Sequence, residues 1–124
     1  MISKHISEKE ATKSVTALRL GIDNTPDGDT LNNMKLVAEK VFEPLREYVG
    51  GPIKINSFYR STALNEAIGG SGRSQHCQGR ALDLDDIYGY KTNKEMFEWI
   101  KENLVLPSSL TAFNILFLFF SSLT

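Results

Sequence analysis

The sequence is poor in the residues and patterns that mark several classes of protein. Only one of its 124 residues is a cysteine, so it cannot form an intramolecular disulfide and gives no sign of an oxidising compartment. Lys and Arg number 14 against 15 Asp and Glu, with no basic block, which argues against nucleic acid as a partner. The N-terminal segment MISKHISEKE lacks the apolar run of a signal peptide, so we expect synthesis in the cytoplasm.

Charge is missing from the last part of the chain. Residues 105–124, VLPSSLTAFNILFLFFSSLT, contain no charged residue, although 23% of the whole chain is charged. Their apolar run AFNILFLFF is shorter than the roughly 18 residues that a membrane span needs, so we expect no span. The run would suit a terminal strand, but its alternation has no polar face. We favour a shifted or truncated reading frame just past Asn103, which makes 1–103 the domain and 104–124 an anomalous tail.

Size and patterning favour a single α+β domain. A chain of 124 residues with 41% apolar content suits one hydrophobic core. Two segments, IKINS and RALDLDD, alternate apolar and polar residues as half-buried strands do. We therefore predict helices packed on a small antiparallel sheet that includes Ile53 to Ser57 and Ala81 to Asp85.

Caps and apolar spacing predict the helices. Two capping boxes, each a hydroxyl residue followed three positions later by Glu, predict that helices start after Ser7 and after Thr92. Apolar residues at three- and four-residue steps from Leu31 predict a longer helix that Pro44 bends and Gly50 closes. The segment STALNEAIGG predicts a short helix, and GIDNTPDGDT predicts a loop.

The segment SQHCQGRALDLDD places His76 seven residues before Asp83, with Gly79 between them. Gly79 allows the backbone to turn, so an imidazole and a carboxylate can converge from the two sides of that turn. Both groups are natural zinc ligands, and a catalytic zinc site uses three protein ligands and one open position. The spacing alone also suits a polar loop histidine and a strand-end hydrogen-bond acceptor, so both interpretations stay open.

The same segment resembles the Ser-x-His-x-x-Gly-x-Ala-x-Asp signature of the zinc D-alanyl-D-alanine carboxypeptidase and dipeptidase family, which includes phage cell-wall endopeptidases. The fixed positions are matched by Ser74, His76, Gly79, Ala81 and Asp83. Upstream, SFYRS is similar to the family's Ser-Gly-Tyr-Arg-Ser segment, with Phe58 in place of Gly. The resemblance extends from about Ile2 to about Asn103 and implies the α+β fold of Hedgehog-like DD-peptidases.

The resemblance also implies site residues and an activity. It makes His76 and Asp83 ligands of a Zn²⁺ cofactor and Arg60 the catalytic cation that holds a substrate carbonyl or carboxylate. Ser57, Arg60 and Ser74 are the predicted substrate-binding residues. The implied activity is hydrolysis of peptidoglycan stem peptides, of the D-Ala-D-Ala carboxypeptidase or L-Ala-D-Glu endopeptidase type, and we expect a monomer.

One part of the family pattern has no counterpart here. The family takes its third zinc ligand from a later His and its general base from an acidic residue shortly before that His, but the other histidine of this chain is His5. A non-catalytic module that binds cell-wall peptides is therefore the alternative function. We interpret Cys77 as a small buried hydrophobe, because neighbouring side chains of an extended segment point in opposite directions and Cys77 would point away from the metal.

Overall fold

The computed structural model describes residues 1–70, 72, 74–104 and the backbone of 114–115. Its elements, in chain order, are α1 (Glu8–Ala11), α2 (Val15–Leu20), α3 (Gly28–Val37), a π turn (Ala38–Phe42), α4 (Glu43–Val49), β1 (Lys54–Ser57), α5 (Thr62–Ala67), a 3₁₀ turn (Gln75–Gln78), β2 (Ala81–Asp85), α6 (Asn93–Asn103) and β3 (Asn114–Ile115). Helices packed with a small sheet confirm the predicted α+β class.

The sheet has the order β1-β2-β3. Strands β1 and β2 are antiparallel and correspond to the two segments that the sequence predicts to be strands, except that Ile53 precedes β1. Strand β3 adds a parallel pairing, in which Asn114 lies opposite Ala81. The rest of the proposed tail, and hence its interpretation as a frame-shifted segment, lies outside the described residues.

A β-bulge interrupts the pairing of β1 with β2. Ile55 lies opposite Leu84, but the next pair is Ser57 with Asp83, so Asn56 is the extra residue. Directly opposed residues of an antiparallel pair project from the same face of the sheet. The bulge therefore places Ser57, instead of Asn56, beside Asp83.

The hydrophobic core lies between the sheet and the α3-π-α4 segment. Leu82 and Leu84 are fully buried, as their alternation predicts. They belong to one cluster with side chains from the long helical segment, including Met34, Val37, Val41, Phe42 and Leu45. The core thus fixes which face of β2 is buried, and Asp83 projects from the other face.

The helices agree in part with the predictions. The capping box of Thr92 and Glu95 is present and opens α6. The loop prediction for GIDNTPDGDT is wrong at its end, because Asp27 caps α3 and the helix begins at Gly28. Helix α2 is not predicted at all, since it buries only Ala17 and leaves Leu18 84% exposed. An apolar stripe is the signal that predicts helices, and α2 lacks one.

The long helix, which Pro44 is predicted to bend, contains the π turn just before Pro44. Pro44 has no N–H to donate to the carbonyl four residues earlier. In the preceding turn, the Glu43 N–H donates to the Ala38 carbonyl, five residues back. Within the described part of the chain, no helix is long and apolar enough to cross a membrane.

Candidate metal centre

His76 is held in one orientation by the backbone around it. It lies in the 3₁₀ turn that Ser74 caps, where the Ser74 hydroxyl accepts a hydrogen bond from the His76 N–H at 3.3 Å. The ring is buried, and its Nδ1 lies 2.7 Å from the carbonyl oxygen of Phe58. A carbonyl oxygen can only accept, so Nδ1 carries a proton and donates it. In the neutral ring, Nε2 therefore presents its lone pair.

That lone pair faces Asp83. The Nε2 atom of His76 lies 3.3 Å from Oδ1 of Asp83. This Oδ1 atom is buried and has no hydrogen-bond partner in the described part of the chain. Zinc bonds of about 2.1 Å at tetrahedral angles would separate two ligand atoms by about 3.4 Å. The predicted convergence of the two side chains is present, and their separation fits two ligands of one metal ion.

The protonation state of His76 determines what the pair does. When the ring is protonated, Nε2 donates to Asp83 and the two form an ion pair. When the ring is neutral, the lone pair of His76 Nε2 and the carboxylate oxygen of Asp83 face each other without a proton between them. Two acceptors in contact are unfavourable at a partly buried site. A cation between the two atoms removes that repulsion. The Phe58 carbonyl supplies the outer hydrogen bond that fixes the tautomer of a metal-binding histidine.

Gly79 and α3 fix the turn that joins His76 to β2. Gly79 has a φ of 70°, a left-handed conformation that glycine adopts readily. A Cβ atom there would lie 2.6 Å from Cγ of Met34 and 2.8 Å from the carbonyl oxygen of Thr30. The Asn33 amide also donates to the carbonyl of Gln78 at 2.9 Å. Gly79 thus turns the backbone between His76 and β2 as predicted, and the turn also packs directly on α3.

Arg60 lies beside the histidine turn. Its backbone N–H donates to the carbonyl of His76 at 3.3 Å. Its side-chain Nε is buried and has no hydrogen-bond partner among the described residues. The side chain of Phe58, which occupies the family's Gly position, is buried in the core while its carbonyl holds His76. Arg60 thus lies beside the turn that carries His76, with a donor that no described residue uses, and its catalytic role stays a prediction.

Ser57 and Ser74 occupy different places around the pair. Ser57 is half-buried and lies directly opposite Asp83 in the strand ladder. Ser74 uses its hydroxyl as the cap of the 3₁₀ turn, which is a positioning role for His76. That hydroxyl can still donate its own proton. Substrate binding by either serine stays a prediction.

Asn24 is a positioning residue that the sequence reasoning missed. Its amide nitrogen donates to the carbonyls of Thr12 and Tyr59, at 2.9 and 3.2 Å, and its amide oxygen accepts from the Ser61 N–H at 2.7 Å. These bonds hold the backbone on both sides of Arg60. Asn24 lies in the LGIDNTP segment that belongs to the resemblance, but its partners are 12 to 37 residues away along the chain. No local pattern reveals such bonds.

Cys77 differs from the interpretation given to it. It lies in a 3₁₀ turn instead of an extended segment, and it is only partly buried. Burial raises the pKa of its thiol, and the positive charge of Arg60 opposes that rise without cancelling it. A thiol that keeps its proton is a poor zinc ligand, since zinc binds the thiolate.

Among the described residues, no third candidate ligand joins His76 and Asp83. Across the described residues, no group of three or more His, Cys, Asp or Glu side chains could hold a metal ion. His5 is engaged elsewhere, with its Nδ1 at 2.5 Å from Oε1 of Glu43. Asp86 accepts the Asn93 N–H at the start of α6. The described part of the chain therefore supplies two candidate ligands, His76 and Asp83.

The comparison with protein families agrees with this geometry. The model of the Peptidase M15 family matches residues 4–106, which is most of the chain and includes every candidate site residue. The chain belongs to the Peptidase M15 family. The M15 peptidases are metallopeptidases that generally depend on zinc. No curated protein and no solved structure gave a significant match.

Proposed function

We propose that this M15 domain is a zinc-dependent peptidase of bacterial cell-wall peptides, with His76 and Asp83 as metal ligands. One observation carries the proposal. A buried carboxylate oxygen, which has no hydrogen-bond partner among the described residues, lies 3.3 Å from a histidine nitrogen whose ring is fixed by a hydrogen bond from its other nitrogen. This arrangement leaves room for a cation's bonds and provides the donor types that zinc prefers.

The residues around the pair have separate tasks in this proposal. Zinc bound here would polarise the peptide carbonyl and make water more acidic. Arg60 stays charged at any physiological pH, and its Nε, which no described residue accepts from, supports its assignment to the substrate carbonyl or carboxylate. Ser57 lies beside Asp83 and would donate to the peptide backbone. Asn24 and Ser74 keep Arg60 and His76 in place through backbone hydrogen bonds.

A second function competes with catalysis and has its own support. The described residues bring no third ligand to the pair, and residues 105–124 contain no His, Cys, Asp or Glu. Catalytic zinc sites have three protein ligands, and a positioned acid or base adds roughly 10²- to 10⁴-fold to the rate. We therefore expect weak zinc binding and slow or absent hydrolysis in this chain. A module that binds cell-wall peptides without cleaving them is the alternative.

A zinc titration combined with two hydrolysis assays separates these functions. The substrates are a peptide ending in D-Ala-D-Ala and a peptide with an internal L-Ala-D-Glu bond, because both bond types belong to the proposal. The chain as printed is compared with a chimera in which residues 104–124 are replaced by a segment that carries an acidic residue and Trp-x-His. We expect the chimera to bind zinc more tightly and to hydrolyse one of the two peptides.

Each result has a distinct meaning. Hydrolysis by the chimera alone supports the peptidase assignment and the missing ligand. Peptide binding by both chains without hydrolysis by either supports the binding module. Tight zinc binding and equal turnover by both chains would show that an unidentified group completes the site, and the two-ligand account would then be wrong.

A further inference from the structure

A groove lies beside the candidate metal centre and includes two of its residues. Its volume is about 410 Å³, which is within the usual range for ligand sites. All four residues of β1 line it, including Ser57, and Arg60 lines it as well. The opposite walls come from α1, α2 and α5 and the residues next to them, among them Glu10, Lys13, Val15, Leu64 and Ile68. The groove is therefore continuous with the site and extends away from it.

Strand β1 offers this groove a backbone edge. The sheet order places β1 at one end, with β2 on its other side. In the described part of the chain, no backbone hydrogen bond outside the ladder involves Lys54, Ile55 or Asn56. An edge strand of this kind presents N–H and C=O groups that an extended peptide can pair with as an added strand. Apolar side chains opposite, such as Val15 and Ile68, provide contact for the side chains of that peptide.

The charges of the groove favour a carboxylate. Three cations, Lys13, Lys54 and Arg60, line it against one anion, Glu10. Neither lysine forms an ion pair with any residue that the structure describes. Charged donors bind carboxylates through short, strong hydrogen bonds, and a groove of one sign concentrates ligands of the other. Lys54 is also only half-exposed, so solvent screens its charge less than that of a surface lysine.

We propose that this groove binds an extended peptide along the outer edge of β1, and that Lys13 and Lys54 select a residue with a free carboxylate. Lys54 precedes Ser57 by three positions, a distance of about 10 Å along a strand. In the bound peptide, the residue whose carboxylate is selected therefore lies about three residues from the peptide group that is placed beside Ser57 and Asp83. That this peptide is the substrate rests on the proposed function, whereas its binding can be measured without catalysis.

Four capped tetrapeptides test the selectivity: Ac-Glu-Ala-Ala-Ala-NH₂, Ac-Ala-Ala-Ala-Glu-NH₂ and the two versions with Gln in place of Glu. Binding is followed by NMR titration of the ¹⁵N-labelled full chain without metal. We expect one Glu peptide to bind about tenfold more tightly than its Gln version, which corresponds to one charge-assisted hydrogen bond. The chemical-shift changes that this peptide causes in the protein should include the amides of β1.

Lysine variants show whether the selectivity comes from this groove. Lys13→Gln and Lys54→Gln should each reduce the preference for Glu over Gln, and Lys54→Arg should retain it. Lys35→Gln is the matched control, since Lys35 is an exposed lysine on α3 that does not line the groove. Spectra of the free variants verify that each is folded.

The inference is overturned if Glu and Gln peptides bind equally, if the preference survives both substitutions, or if inorganic phosphate displaces the peptide at equal concentration.

The variant His76→Ala keeps this inference distinct from the proposed function. It removes a metal ligand but no groove residue, so it should abolish zinc binding and leave the preference for Glu unchanged. Selective peptide binding without any zinc binding by the wild-type chain would contradict the proposed function alone. Zinc binding without any peptide preference would contradict this inference alone.

Discussion

His5 and His76 are the two histidines of the chain, and each lies beside a carboxylate, but the two carboxylates differ in their hydrogen bonds. Glu43 accepts from the Ser3 hydroxyl, the His5 N–H and the His5 ring. Asp83 Oδ1 is buried near the ring of His76 with no partner in the described part of the chain. The first pair joins the N-terminal segment to α4, and both oxygens of its carboxylate accept hydrogen bonds. The second pair has capacity left for a ligand.

Residue types and proximity do not separate a structural pair from a binding pair. His5 lies closer to its carboxylate than His76 does, at 2.5 Å against 3.3 Å. The number of other donors around each carboxylate does separate them. A satisfied carboxylate gains little from a metal, because the metal must displace hydrogen bonds that already exist. This difference leads to four predictions, ordered by the size of the expected effect.

Zinc should bind at one pair and not at the other. We expect His76→Ala and Asp83→Asn each to weaken zinc binding by more than the roughly 10- to 100-fold that follows loss of an outer hydrogen-bond partner of a ligand. The readout is an NMR zinc titration, which detects weak binding, followed through the backbone amides of β2, of the turn that contains His76 and of the segment around His5. His5→Ala and Glu43→Gln are the matched controls and should leave zinc affinity unchanged. Equal losses from both sets would end the distinction between the pairs.

The turn at Gly79, which joins the two residues of the second pair, should contribute to the free energy of unfolding. Gly79→Ala places a Cβ against Met34 and the Thr30 carbonyl and strains a φ of 70°. We expect it to lower the free energy of unfolding by about 2–4 kcal/mol, from overpacking and a left-handed backbone. Gly28→Ala is the control, since a Cβ at Gly28 meets nothing within 4 Å. Urea unfolding gives both values, and equal stability of the two variants would contradict the packing argument.

Asn24 should act on Arg60 through the backbone. Asn24→Asp keeps the acceptor for the Ser61 N–H but replaces the donor to the Thr12 and Tyr59 carbonyls with an oxygen. We expect a loss of about 1–3 kcal/mol in the free energy of unfolding, the cost of leaving acceptors unpaired and facing a negative charge. Thermal unfolding measures it. If Asn24→Asp unfolds like the wild type, these bonds do not hold the segment around Arg60.

The first pair should contribute a small, pH-dependent stability. Burial raises the pKa of the Glu43 carboxyl. Hydrogen bonds from Ser3 and His5 together lower that pKa by more than burial raises it, so it lies below its ordinary value of 4.5. A carboxyl with a lowered pKa stabilises the fold above that ordinary value, and this stabilisation is lost as the pH falls through the folded-state pKa. We expect Glu43→Gln to remove up to ~1 kcal/mol at neutral pH. The comparison is urea unfolding of both proteins at pH 7 and below pH 4.5. A difference that stays constant with pH would show that charge is not involved.

The sequence predicts the helices and strands of this fold better than the hydrogen bonds that hold distant segments together. The alternation around Leu82 and Leu84 predicts β2, and the spacing of Thr92 and Glu95 predicts the start of α6, because both signals are local. Helix α2 was missed because its side chains face solvent. The hydrogen bonds of Asn24 were missed because they join segments that only the tertiary structure brings together.

The sequence predicts which two side chains of the candidate site converge, but not what holds them in place. His76 and Asp83 were identified from a motif, and the structure brings them within 3.3 Å. That the carbonyl of Phe58 fixes the His76 tautomer could not be predicted, since it depends on a backbone oxygen and not on a residue type. The same holds for the packing of Gly79 on α3. Backbone groups carry no sequence signature of their own.

The bulge in β1 leaves a trace in the printed sequence. Side chains of a regular strand alternate, so two residues that both face the core differ by an even number of positions. Ile53 and Ile55 obey that parity, yet Ile55 and Phe58 are both buried and differ by three. The odd step marks the place where Asn56 shifts the phase of the strand. Without Asn56, Phe58 would follow Ile55 by two positions and a regular strand would bury both, so Asn56 is the residue that the bulge must accommodate to keep Phe58 in the core.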